Sequence, residues 1–296
     1  MNRLEFREEV KKSNLCPEQF ENLYDKFIEL QDENIKVLKE VHRICEKHGI
    51  NYELAFGSLI GAVRDNGVIP WDYDIDILIP YREKMQFIDA LKEDLQSEYY
   101  FQCKEIDDTC RHYGMRIAPK GYDLSNLHVD VFYYIGAPKV FKKVFMRKIQ
   151  LLFQWRYYKK VSFSDIKHMS WKYNSFVRIC RILLSPIPMR CIDDKMHRLC
   201  MKYDIDNVEY CVPVFNVYKD LVYSSDSITK TDLRVTDFGS FRIPHDYSTV
   251  LNALYGDYNK IFPLKQRLGE FLLNYNHLTG EHRTFTGMES VGRYYL

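Results

Sequence analysis

Asp74 and Asp76 stand two residues apart in "DYDIDILIP", a stretch of alternating apolar residues. On a strand, residues i and i+2 point the same way. The two carboxylates therefore share one face, while Ile75, Ile77 and Ile79 take the other, which is the core face. Like charges this close repel and raise each other's pKa unless a cation lies between them. Hard oxygen ligands of this kind suit Mg²⁺ or Mn²⁺. Asp130, mid-strand in "HVDVFYY", is a third acid. If its strand neighbours the first, three carboxylates converge, enough to hold two metals about 4 Å apart for an in-line phosphoryl transfer.

A glycine turn supplies the other half of such a site. Gly57-Ser58 follows a short strand and opens a helix, so its backbone N–H groups form an anion site. Gly61 lets the backbone approach closely. Arg64, near two turns in, is placed to reach a phosphate. Phosphates at one end and metals at the other is what attack on a phosphoanhydride requires. Pro70 and Trp71 shape the turn that aims the acids, and Tyr73 is expected to point away from them. His48, His112, His128 and His245 are isolated and read as structural.

The elements that position these residues follow from periodicity. Residues 18–48 read as one long helix with apolar positions at Leu23, Phe27, Leu30, Ile35, Leu38 and Val41, stopped at His48-Gly49. Then come a short strand "NYELAF", a helix "SLIGAVRD", a turn, the strand "DIDILIP" and an amphipathic helix "REKMQFIDALKEDLQ". Three strands follow, "YYFQCKEI", "HYGMRIAP" and "HVDVFYYI". This order predicts an α+β domain around a mixed sheet with flanking helices. Residues 1–138 form the expected catalytic core with its N-terminal helix. A basic helical insertion spans 139–202, and a C-terminal part, 203–296, packs on the core. The last helix expected is "DYSTVLNALYG".

Apolar residues make up 46% of the 296, enough for a sizeable core, and the net charge of +1 argues against a nucleic-acid partner. That average hides an asymmetry. From Lys139 to Lys202 there are 16 Lys/Arg against three acids, a net of +13, which leaves −12 for the remainder. Within it, "KVFKKVFMRKIQLLFQWRYYKK" reads as a helix. Phe141, Phe145, Ile149 and Leu152 share one face, and Lys139, Lys143, Arg147, Gln150 and Gln154 share another. This segment is either a helix packed on the core with a solvated basic face, or a surface that meets an anionic membrane or glycolipid. Eight scattered cysteines without metal spacing read as free thiols in a reducing compartment. With no apolar leader run and no apolar stretch of spanning length, the expected location is cytoplasmic, with the inner face of the membrane as a possible peripheral site.

The constellation Gly57-Ser58, Asp74-x-Asp76 and Asp130 resembles the nucleotidyltransferase superfamily typified by polymerase beta. More closely, "GSLIGAVRDNGVIPWDYDIDI" is similar to the signature of the LicD family, whose relatives include the fukutin proteins. A second stretch, "FGSFRIPHDYSTVLNALYGDYNKIFP", is similar to that family's C-terminal motif. Tyr73 departs from the pattern, where the family commonly has another Asp.

The resemblance implies a metal-dependent phosphotransferase. It would move a phospho-alcohol, phosphocholine-like, from a CDP-alcohol donor to a hydroxyl of a glycan or lipid-linked glycan, with CMP leaving. Asp74, Asp76 and Asp130 become the Mg²⁺ or Mn²⁺ ligands and catalytic acids, Asp130 also helping to deprotonate the acceptor. Gly57 and Ser58 hold the donor phosphates, steadied by Arg64 and by Arg116 on "HYGMRIAP". Two further readings stay open: a nucleotidyltransferase that moves NMP from an NTP, and a non-catalytic binding module of the same fold. The 23 Tyr and 18 Phe make an aromatic choline pocket too easy to imagine for composition to locate one.

Overall fold

The computed structural model describes residues 1–281, apart from 18, 108–109, 111–112, 125, 163–165, 168 and 215–220. Its centre is a seven-stranded mixed sheet. The strands are β1 (Glu53–Leu54), β2 (Ile75–Pro80), β3 (Tyr99–Gln102), β4 (Met115–Pro119), β5 (Val129–Ala137), β6 (Tyr210–Val214) and β7 (Tyr223–Ser224). The path β1-β2-β5-β4-β3 is antiparallel except at β2·β5, which is parallel. The second half of β5 leaves β4 and pairs with β6, which in turn pairs with β7. The chain after 203 therefore extends the same sheet. This α+β arrangement is the one expected from the element order.

Alternation places the core as the sequence predicts. Ile75, Ile77, Val129, Val131, Met115 and Ile117 are all buried on one face. Helix α2 (Phe20–His48) touches β2, β4 and β5 and ends at Gly49 as expected. Two further helices were not expected. The N-terminal α1 (Arg3–Lys12) carries a capping box from Asn2 and Glu5. With α2 and a C-terminal helix beyond residue 263, it builds an aromatic cluster of Phe6, Phe20, Tyr24, Phe27 and Phe271, with Phe6 against Trp71.

The remaining helices are α3 (Phe56–Arg64), α4 (Lys84–Asp94), α5 (Lys142–Lys160), α6 (Trp171–Leu184), α7 (Met189–Cys200), α8 (Ser225–Thr229), α9 (Tyr247–Tyr255) and α10 (Leu264–Thr279). A hairpin of β8 (Thr231–Thr236) and β9 (Gly239–Pro244) stands apart from the main sheet.

The basic segment is helical, and its apolar stripe corrects one expectation. Phe145, Ile149 and Leu152 of α5 are buried, in a helix that packs on α6 and α7. Burial of each contributes about 2 kcal/mol, so this face is core and is not held back for a membrane. Phe141 lies outside the helix, at its left-handed N-cap, 76% exposed. No helix among the described residues is long and apolar enough to cross a membrane.

Candidate active site

The register of the sheet brings the acids together. Asp76 on β2 lies opposite Asp130 on parallel β5, and Asp130 lies opposite Arg116 on β4. The three side chains form a row across one face, the face opposite the buried Ile and Val residues. Asp74, just before β2, opens to solvent beside them.

Ser58 fixes the acidic strand. Its Oγ accepts from the Asp76 amide at 2.8 Å and donates to the Asp74 carbonyl at 3.4 Å. The Ala55 amide, at the start of α3, donates to the Asp76 carbonyl at 2.9 Å. The expected phosphate-binding serine is thus also a strand clamp. The two glycines of α3 have different neighbours. A Cβ on Gly57 would sit 3.1 Å from an Asp72 carboxylate oxygen, and one on Gly61 would sit 2.8 Å from the Gly67 carbonyl. Gly61 therefore permits the return of the 65–70 turn against its own helix.

The loop that carries the acids is held from behind. Gln31 of α2 donates to the Ile69 carbonyl at 3.0 Å and also reaches the Asp72 carbonyl. Asn34 donates to the Tyr73 carbonyl at 3.0 Å, and Asn274 of α10 to the Trp71 carbonyl at 2.8 Å. None of these three amides was singled out from sequence, because each acts through an element distant along the chain. Tyr73 also departs from expectation. It stacks on His277 and hydrogen-bonds Asp74, so it does not turn away from the acids.

The electrostatics divide the acids. Burial and then the charges of Asp74 and Asp130 push the Asp76 carboxyl well above its ordinary value. Burial and the charge of Asp74 push Asp72 up to about 7. Asp74 is raised as well, by burial first, although its opening to solvent screens that effect. Asp130 goes the other way. Burial raises it, but His128 and Arg116 more than offset this. The Arg116 Nε lies 2.9 Å from Oδ1, and the His128 Nε2 lies 3.1 Å from Oδ2.

Two expected phosphate ligands are therefore engaged elsewhere. Arg116 pairs with Asp130 and donates to the Leu124 carbonyl at 3.1 Å. Arg64 pairs with buried Asp65 at 2.7 Å and donates to the Tyr258 carbonyl at 3.2 Å. Its position two turns along α3 turns it toward the C-terminal motif, and this gives Tyr255–Tyr258 a structural role that sequence did not supply. His128, read as structural, proves to touch Asp130; its i−2 spacing, immediately before β5, is the signal that marks it. His48 bonds Asp94, and His245 lies 2.8 Å from Asp232, while His112 falls outside the described residues.

A cleft beside the acids is lined by Gly57, Ser58, Asp72 and Asp74, with Thr236 and Phe238 of the hairpin opposite. Among the described residues no group of three or more His, Cys, Asp or Glu is arranged to cage a metal. The convergence of three acids is thus not a preformed three-ligand cage, because Asp130 already has partners on both oxygens. Asp74 and Asp76 still suit Mg²⁺ or Mn²⁺, since Mg²⁺ is commonly bound through one or two carboxylates together with substrate phosphates and water. An aromatic cage does exist, built by Tyr81, Tyr113 and Tyr133, but Lys84 fills it. Its Nζ lies 5.2, 5.2 and 5.3 Å from the three ring centroids and bonds Glu105.

Asp74 just before β2 and Asp76 on it, next to a Gly-Ser helix start and backed by a third acid on the parallel neighbour, form an acidic cluster beside a helix N-terminus in a mixed α+β domain. Residues 49–173 match the family described as LicD/FKTN/FKRP, nucleotidyltransferase domain. Over 248 residues, 77% of this chain and 89% of the relative, it is 26% identical to the lipopolysaccharide cholinephosphotransferase LicD of Haemophilus influenzae. Over 47 residues, 14% of this chain and 10% of the relative, it is 43% identical to the ribitol 5-phosphate transferase FKRP of Homo sapiens.

Proposed function

We propose that this chain is a phosphotransferase that moves a phospho-alcohol from a CDP-alcohol to a hydroxyl of a glycan or lipid-linked glycan. The observation that carries the reading is the registered pair Asp76 and Asp130, with Asp74 open to solvent beside the start of α3. The names of the two relatives, a cholinephosphotransferase and a ribitol 5-phosphate transferase, support the same reaction class. On this reading β2, β5 and α3 are the core of a polymerase beta-like nucleotidyltransferase fold.

Asp74 and Asp76 would hold the divalent cation, and Asp130, paired with Arg116 through one oxygen and His128 through the other, keeps a second lone pair on each. A bound Mg²⁺ or Mn²⁺ would supply charge neutralisation at the phosphoanhydride. The first turn of α3, at Gly57 and Ser58, orients the donor phosphates with its backbone N–H groups. Ser58 keeps the Asp76 backbone aligned while the donor sits across it. Arg116, pinned between Asp130 and the Leu124 carbonyl, places a fixed positive charge beside the row of acids. Asp130 is a weak base with its pKa lowered, so it orients the acceptor hydroxyl by accepting a hydrogen bond.

The test is a donor panel of CDP-choline, CDP-ribitol and CTP, with Mg²⁺ and a glycan acceptor. The reading expects CMP from a CDP-alcohol and no pyrophosphate from CTP. Pyrophosphate from CTP with no CMP from either CDP-alcohol would make the chain a nucleotidyltransferase instead.

A further inference from the structure

Helix α6 presents an exposed apolar face. The helix is seated by Val177 and Leu184, both buried. Arg181 donates to the Val161 carbonyl at 2.6 Å, and the Lys159 Nζ to the Leu184 carbonyl at 2.7 Å. Its other side is apolar and, among the described residues, largely exposed. Trp171 is 73% exposed, Ile182 and Leu183 are each 70% exposed, and Ile179 and Phe176 are exposed as well. At about 100° per residue, these five fall within about 140° of the helix surface, interrupted by Ser175 and Lys172. Residues scattered singly need no partner, but five large apolar side chains on one helical face do.

The charge around this face selects the partner. From Ile166 to Ile192 the chain has five Lys/Arg and no Asp or Glu. Lys167, Lys172, Arg178 and Arg190 are exposed. A second copy docking face to face would set these cations against their own kind, whereas an anionic bilayer offers both apolar depth and complementary charge. The helix has 14 residues, about 21 Å at 1.5 Å each, which is too short to span the roughly 30 Å hydrocarbon core. It therefore lies flat. A tryptophan at one end suits the headgroup level. We infer that α6 is an in-plane membrane anchor, inserting Trp171, Ile179, Ile182 and Leu183 into an anionic bilayer with its basic flanks on the headgroups. This goes beyond the transferase reading and stands without it. It also moves the membrane contact from α5, whose stripe is core, to α6.

The experiment is vesicle co-sedimentation of the full chain, with phosphatidylcholine vesicles with and without phosphatidylglycerol, at low and high salt. Binding is expected with phosphatidylglycerol at low salt and should fall at high salt. Ile179→Ser/Ile182→Ser/Leu183→Ser changes exposed positions, so its thermal melt should match wild type while binding weakens on the order of tenfold or more. Brominated lipid should quench fluorescence in wild type, and Trp171→Phe, a conservative change, should lose that quenching. Wild-type protein left in the supernatant at low salt, or a triple variant that binds as well as wild type, would overturn the inference. So would a vesicle-free dimer dissociated by the triple variant, which would assign the face to self-association. The assay needs no donor and no turnover, so its failure would leave the transferase reading standing.

Discussion

Asp76 and Asp130 face each other across parallel strands, yet their surroundings push their carboxyls in opposite directions. Burial among acids raises Asp76, while His128 and Arg116 hold Asp130 below its ordinary value. Adjacent acids with opposed shifts are a pattern of sites where each carboxylate has its own task. On the proposed reading Asp76 gains a cation, whereas Asp130 is already paired with Arg116 and His128.

Ser58 separates two accounts of the glycine turn. If its main part is clamping the Asp76 amide, Ser58→Ala leaves that amide unpaired and misaligns the acid. We expect kcat to fall about tenfold or more, with donor affinity changed by less than about threefold. Ser58→Thr, which keeps the hydroxyl, should recover most of the loss. Separate kcat and KM values for the donor decide this: a rise in KM alone would return Ser58 to phosphate binding.

Arg64 should behave as a structural tie. Its guanidinium pairs with Asp65, whose side chain is fully buried, and spans to Tyr258. Arg64→Gln should cost about 1–2 kcal/mol of stability, read from urea midpoints, because it removes one partner of a buried carboxylate while the Met1 ammonium, 2.9 Å from Asp65, remains. Donor affinity of the fraction that folds should stay near wild type. A donor affinity loss without destabilisation would restore the phosphate role expected from sequence.

Much of this was legible in the sequence where the signal is local. Ile75, Ile77 and Ile79 around Asp76 fix a strand with one apolar face, and Gly49 marks the end of α2. The mixed sheet follows from the order of its elements. What sequence could not show depends on distant partners. The β5·β6 pairing joins residues such as Tyr133 and Val214, far apart in the chain. Periodicity found the stripe of Phe145, Ile149 and Leu152 but could not say that protein covers it. The direction of Arg64 depends on the Tyr258 carbonyl, and the grip on the acid loop depends on Asn274 of an unanticipated helix. Asp130 was found, but its pairing with Arg116 depends on a strand order the sequence does not give, and its contact with His128, two residues back, went unread.

Glu9 gives the pH dependence of the scaffold. A hydrogen bond from Arg267 holds its carboxyl below the ordinary 4.5, and the same guanidinium lies 5.3 Å from the Trp71 ring centroid. A carboxyl with a lowered folded pKa contributes stability above its ordinary pKa, and that contribution disappears as pH falls through the folded value. Urea midpoints of wild type should therefore drop between roughly pH 5 and pH 3 more steeply than those of Glu9→Gln. Parallel profiles would show that the pair contributes nothing, as solvent screening at the partly exposed Glu9 would permit.

The central claim is that Asp76 works through a divalent cation on a CDP-alcohol. The most direct measurement is CMP release from the active CDP-alcohol by wild type and Asp76→Asn, titrated with Mg²⁺, alongside a melt of each protein without metal. The account predicts Mg²⁺-dependent CMP from wild type and a loss on the order of 10³-fold or more in the variant. It also predicts a metal-free melting temperature equal to or above wild type, because a half-buried carboxylate repelled by its acidic neighbours is removed. Near-normal CMP release by a folded Asp76→Asn, or wild-type release indifferent to Mg²⁺ and to chelator, would contradict it.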